Sequence, residues 1–200
     1  MTFSAICGLI AAVIFGIASA LYIIDVARAK VLPSIATFII ISFINVSQLI
    51  SLILKGVWGV VPFTLVGVVT TLAIVFITLR RRKFYFELPD KIGLAGASVG
   101  VIAWILTKDP AWNIYILTLV NFITFTPLII KSFKHPKLET ALPWQLNLLA
   151  SFFLVLGINS TAAVVWLIPF RQFSCSLILN IGLLRGQIRS YKPAVEKTID

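Results

Sequence analysis

Seven stretches of this 200-residue chain run for 16 to 22 residues with a single charged residue, Arg171, among them. That pattern is the strongest constraint on the fold. A helix needs roughly 20 apolar residues to cross about 30 Å of hydrocarbon. The stretches are Phe3–Ile24, Ser34–Leu54, Val61–Leu79, Ile92–Thr107, Trp112–Ile130, Ala141–Ile158 and Val165–Leu184. With 60% hydrophobic and 12% charged residues, the composition excludes an ordinary soluble domain. Continuous apolar runs, without strand-like alternation, select helices over a barrel, because hydrocarbon offers no water to an open backbone. The expectation is an all-α integral membrane protein with seven transmembrane helices. No basic residue precedes the first run, so it reads as a retained span and not as a cleaved signal.

The charges set an orientation. Of 17 Lys and Arg residues, 14 fall in alternate connections and in the C-terminal tail, and only Lys55, Lys108 and Arg171 fall on the other side. Positive loops are retained in the cytoplasm, which predicts an external N-terminus and a cytoplasmic C-terminus. The EKTID ending carries no organellar retention or sorting signal, which makes a cell membrane the expected home. The net charge of +10 is therefore mostly topological and not a nucleic-acid footprint. Arg80, Arg81, Arg82 and Lys83 are placed to meet anionic lipid head groups of the bilayer.

Sliding the chain on itself by 106 residues lays LYIIDVARAK (from Leu21) over PLIIKSFKHP (from Pro127). Ile23, Ile24 and Arg28 then meet Ile129, Ile130 and Lys134, Ser34 meets Thr140, and Phe38 meets Trp144. Each second helix thus gains a hydroxyl residue at its start and an aromatic residue one turn in. Pro62 and Pro169 agree within one residue. The expected organisation is two parallel three-helix repeats joined by a linker helix, a 3+1+3 arrangement. Residues 1–83 form the first repeat, 84–110 the linker with the fourth helix, 111–187 the second repeat and 188–200 a cytoplasmic tail. Gly96 and Gly100 in the linker have the spacing of close helix packing, and the same spacing admits a homo-oligomer.

This pattern resembles the SWEET and PQ-loop superfamily of seven-helix membrane proteins, through the 3+1+3 count, the external N-terminus and the FTPLIIKSFKHPKLET segment (Phe125–Thr140). The signature dipeptide is absent: Leu128 follows Pro127, and Leu21 stands where the first repeat would carry a proline. The resemblance implies a sugar transporter with an asparagine midway along the last helix of each unit and a tryptophan near the outer end of the preceding hairpin. Asn180, Trp166 and Trp58 match those roles, whereas the third helix has Thr70 and Thr71 but no asparagine.

Polar groups at membrane depth supply the remaining candidates, because each is costly there without a partner or a purpose. Asn45, Gln48 and Asn121 carry amides that donate and accept at once, suiting either a polar solute or helix–helix contacts. Gln145 and Asn147 have the same double reading. Arg171, about one turn inside the last span, either snorkels to the interface or faces a cavity and binds an anionic or polyhydroxy solute. Pro127 frees a helix carbonyl and is the hinge candidate for an inner gate. Pro62, Pro143 and Pro169 are expected near helix starts, where proline is tolerated. Asp25 closes the first span, as a gate residue or as an interfacial partner of Arg28. All seven acids lie at span ends or in loops, which points away from a carboxylate proton relay.

The single histidine, His135, and the separated Cys7 and Cys175 form no metal or nucleophile constellation, and no cofactor motif appears. The chain is expected not to be an enzyme. The expected function is facilitated diffusion of a small polar solute by alternating access between the two units. The alternative is a non-transporting receptor or scaffold on the same fold, presenting its basic loops to a partner.

Overall fold

A computed structural model describes residues 2–31, 35–80, 88–136 and 139–196. Seven helices follow in order: α1 Phe3–Ala27, α2 Ile35–Leu54, α3 Val61–Leu79, α4 Leu88–Thr107, α5 Pro110–Lys134, α6 Ala141–Leu156 and α7 Ala163–Glu196. Five contain spans long and apolar enough to cross a membrane: α1, Thr37–Leu54 of α2, α3, α5 and Ala163–Arg185 of α7. The apolar parts of α4 (Leu94–Thr107) and α6 are shorter. The chain is a multi-pass, all-α membrane protein.

Six helices close into a ring. Contacts run from α1 to α3, α2, α5, α7 and α6 and back to α1, while α4 lies outside against α5 and α2. Helices alternate in direction, so the connections gather at two ends. At one end, Lys55 of the α2–α3 connection pairs with Asp109 at 2.6 Å. At the other, the end of α1 and the starts of α2 and α6 meet through Tyr22, Phe38 and Trp144. We refer to the latter, which carries Lys131 and Lys134, as the basic end.

The third helix shows why uniformly apolar runs make this architecture. Leu65, Val69, Leu72 and Phe76 form an exposed outer stripe at alternating steps of four and three. Thr64, Gly67, Thr71 and Ile74 form the inner one. The threonines tolerate apolar surroundings because their hydroxyls donate to carbonyls one turn back, as Thr71 does to Gly67 O at 2.9 Å. Small residues decide the closest approaches. A Cβ on Gly100 would lie 2.9 Å from Leu117 Cδ2, and one on Gly96 would strike the Val120 side chain, which seats α4 on α5.

Several local expectations change. Asp109 caps α5 by accepting from the Ala111 amide at 2.9 Å; the hydrogen bond from Lys55 and then this amide hold its carboxyl below the usual carboxylate range. Thr140 occupies the N-cap position of α6 but makes no capping bond, and its hydroxyl is buried without a partner. Its counterpart Ser34 lies outside the described residues, as do Arg81, Arg82 and Lys83. Because α7 begins at Ala163, Pro169 is inside the helix and not at its start. There it deprives the Val165 carbonyl of a donor. Asp25 pairs with Lys30 at 3.4 Å and not with Arg28. The helix ends at Ala27, and the turn that follows, with Ala29 at φ 58°, brings Lys30 back.

Candidate functional site: a central cavity with a polar wall

The ring encloses a cavity of about 340 Å³ whose wall takes residues from α1, α2, α3, α5, α6 and α7. Volumes in this range hold a small solute. Most of the wall is apolar or aromatic, and the polar groups are concentrated in two places.

The first lies in the middle of the bundle. Gln48 on α2, 1% exposed, donates from Nε2 to Thr118 Oγ1 at 3.2 Å. Asn121 lies across from it on α5, and its Oδ1 accepts from Thr124 at 3.4 Å. Asn45 borders Gly67, where a Cβ would lie 3.5 Å from the amide nitrogen. On the α6–α7 side, a chain of hydrogen bonds runs along the wall. Arg171 Nη2 donates to Gln172 Oε1 at 3.0 Å, Gln172 Nε2 to Asn147 Oδ1 at 3.1 Å, and Asn147 Nδ2 to Ser176 Oγ at 3.2 Å.

Arg171 does not snorkel. It is 4% exposed and lines the cavity. With α7 starting at Ala163, its Cα lies eight residues into the helix, about 12 Å along the axis, and its helix face turns toward α6 and the ring interior. Its Nε and Nη1 are buried with no hydrogen-bond partner.

The second polar group lies at the basic end. Lys131 Nζ reaches Glu139 Oε1 at 2.7 Å, and Trp144 Nε1 donates to Glu139 Oε2 at 3.4 Å. The Glu139 side chain is only 1% exposed although it belongs to a connection. Around it stand four aromatic residues from four helices. Tyr22 packs against Phe38 and Trp144 with ring centroids 6.4 and 5.6 Å away, and Phe125 meets Trp144 edge-on at 6.1 Å.

Of the residues singled out from sequence, Asn45, Gln48, Asn121 and Arg171 are brought together around this cavity. Asn180 lies behind the wall, donating to Trp144 O at 2.9 Å and to Ser176 O at 2.8 Å, so it ties α7 to α6. Trp166 donates to Thr161 O at 3.2 Å near the start of α7, away from the wall. Trp58 is 61% exposed in the α2–α3 connection, and Asp25 stands with Lys30 outside the cavity. Helix α5 continues through position 127, and the Pro127 side chain lies outside the described residues.

Sequence reasoning passed over Lys131, Glu139 and Gln172. Glu139 looked like one more loop acid; nothing local signals that its side chain is buried on the cavity wall. Gln172 did carry a signal, since Arg171 and Gln172 are adjacent polar residues in an apolar run. No protein family, curated protein or solved structure matches this chain.

Proposed function

We propose that this chain is a membrane transporter that passes a small polar solute by facilitated diffusion, alternating access to the central cavity between two parallel three-helix repeats joined by α4. The observation that carries this reading is the cavity between α1–α3 and α5–α7, walled by matched positions of both. Adding 106 to Phe15, Ala18, Ser19 and Tyr22 of α1 gives Asn121, Thr124, Phe125 and Leu128 of α5, and all eight line the cavity. The same step takes Thr37, Phe38 and Ile41 of α2 to Pro143, Trp144 and Asn147 of α6, again all on the wall. The neighbour order supports the repeat as well. In each unit the third helix lies between the first and second, and the units join first helix to second on both sides. A cavity at the interface of two such units is where repeat-built transporters hold their solute.

Uncoupled movement fits the charges. The Glu139 carboxylate is neutralised by Lys131, which leaves no free acid on the described cavity wall to carry a proton. The resemblance drawn from sequence makes sugars the first solutes to try. Purified protein in liposomes is expected to equilibrate a labelled polar solute with and without a proton gradient. Gln48→Leu is expected to slow that flux by about tenfold, the equivalent of one lost hydrogen bond to the solute. The fold survives this change because Thr118 keeps its bond to Ile114 O at 2.6 Å. Solute binding without any flux would point to the receptor reading instead.

We place the basic end in the cytoplasm and the N-terminus outside on the distribution of Lys and Arg. Single cysteines at Lys55 and Lys134 are then expected to react with an impermeant maleimide from opposite sides of the membrane. Labelling of both from one side would overturn the seven-span topology.

A further inference from the structure

A buried guanidinium is expensive unless its charge and its donors are used. Arg171 uses one nitrogen. Nη2 is held by Gln172, whose own amide is held by Asn147, so the side chain is fixed in place. Nε and Nη1 have no partner, and they belong to different edges of the planar group. A ligand approaching either edge meets a free donor. No carboxylate on the described cavity wall offsets this charge, because the only acid there, Glu139, is paired with Lys131. The cavity therefore carries one uncompensated positive charge.

We infer that the solute is a small monoanion bearing a carboxylate, bound at Arg171, with its polar remainder against the amides of Gln48, Asn121 and Asn147. The inference rests on the transport reading and narrows its substrate class. A single free positive charge matches a single negative one, and arginine binds carboxylates through the N–H groups that are unpaired here. Bringing such an anion onto either edge satisfies one orphaned donor and balances the charge at the same time.

Gluconate and glucose make a first test: gluconate is an open chain with a carboxylate at C1 and glucose a neutral ring on the same carbon skeleton, so the membrane-potential and Arg171 arms isolate the charge. Labelled gluconate is expected to enter proteoliposomes at least tenfold faster than labelled glucose. An inside-positive potential should accelerate gluconate entry and leave glucose unchanged. Arg171→Gln should lower gluconate flux tenfold or more, with partial recovery in Arg171→Lys. Equal fluxes of glucose and gluconate that ignore Arg171→Gln would overturn the anion inference and leave the transporter standing. Arg171-dependent gluconate binding in nanodiscs without flux would keep the anion site and remove transport. Preference for glucose 6-phosphate over gluconate would reject the carboxylate monoanion, and neither flux nor binding of any of the three would reject the inference entirely. Should Arg171→Gln fail to assemble, the comparison of gluconate with glucose on the unaltered protein decides.

Discussion

Lys131→Met is expected to lower stability by about 3 kcal/mol, the lower end of the range for breaking a buried ion pair, and Lys131→Met/Glu139→Leu to recover most of the loss. The asymmetry follows from burial. Glu139 has a side chain 1% exposed, whereas Lys131 is 28% exposed. Removing the lysine strands a carboxylate whose only other side-chain hydrogen bond among the described residues is the long one from Trp144. Removing both replaces the pair with apolar surface that suits its aromatic neighbours. Thermal unfolding in nanodiscs measures the cycle. If the double variant loses as much as the single one, the pair is not coupled and Glu139 is not buried as described.

The proposed alternating access gives the same variant a second expected effect. Lys131 and Glu139 join the end of α5 to the approach to α6 at the basic end, beside Tyr22, Phe38, Phe125 and Trp144. Under alternating access this cluster has to separate whenever the cavity opens there. Weakening the ion pair shifts the population toward that open form. A cysteine at Ser19 is expected to react faster with a reagent applied from the basic end in Lys131→Met than in the unaltered protein.

Gly8→Ala is the second large effect and acts at the opposite end. A Cβ at Gly8 would strike the Gly59 carbonyl, and backbone cannot rotate away as a side chain can. Overpacking of this kind costs about 1–3 kcal/mol, and the rigid partner argues for the upper part of that range. Gly16→Ala on the same helix provides the control, since nothing lies within 4 Å of the added methyl. There alanine is expected to stabilise by about 0.5–1 kcal/mol through helix propensity. Opposite signs at two glycines of α1 verify the close approach to the α2–α3 connection. The same sign at both would mean that α1 does not sit against Gly59. Gly157 also presses on α1, with a Cβ there 2.9 Å from Cys7 Cβ. The α2–α3 connection and the end of α6 thus both meet α1 at this end.

The helices were legible because hydrocarbon imposes one rule on every span, and the rule needs no knowledge of neighbours. Their positions follow the apolar runs closely, with α3 at Val61–Leu79 in both readings. The extra turns of α5 and α7 were not legible. They carry polar residues beyond the apolar run, where hydropathy stops reporting helix. The candidate site was legible in part, through amides that an apolar run tolerates only for a reason. Asn45, Gln48 and Asn121 reach the cavity, while Asn180 spends its amide on two carbonyls of α6 and α7. Spacing along one helix cannot separate these cases. A wall and a helix contact differ by tens of degrees of rotation and by which helix stands opposite.

Length, apolarity and the basic loops are local properties of the chain, and by themselves they determined that it forms a multi-pass bundle of helices. Only the tertiary structure decided that Arg171 turns inward with two free nitrogens, and that a loop glutamate is buried. Both depend on contacts between residues far apart in sequence, where the cost of burying a charge is set by what another helix brings to meet it.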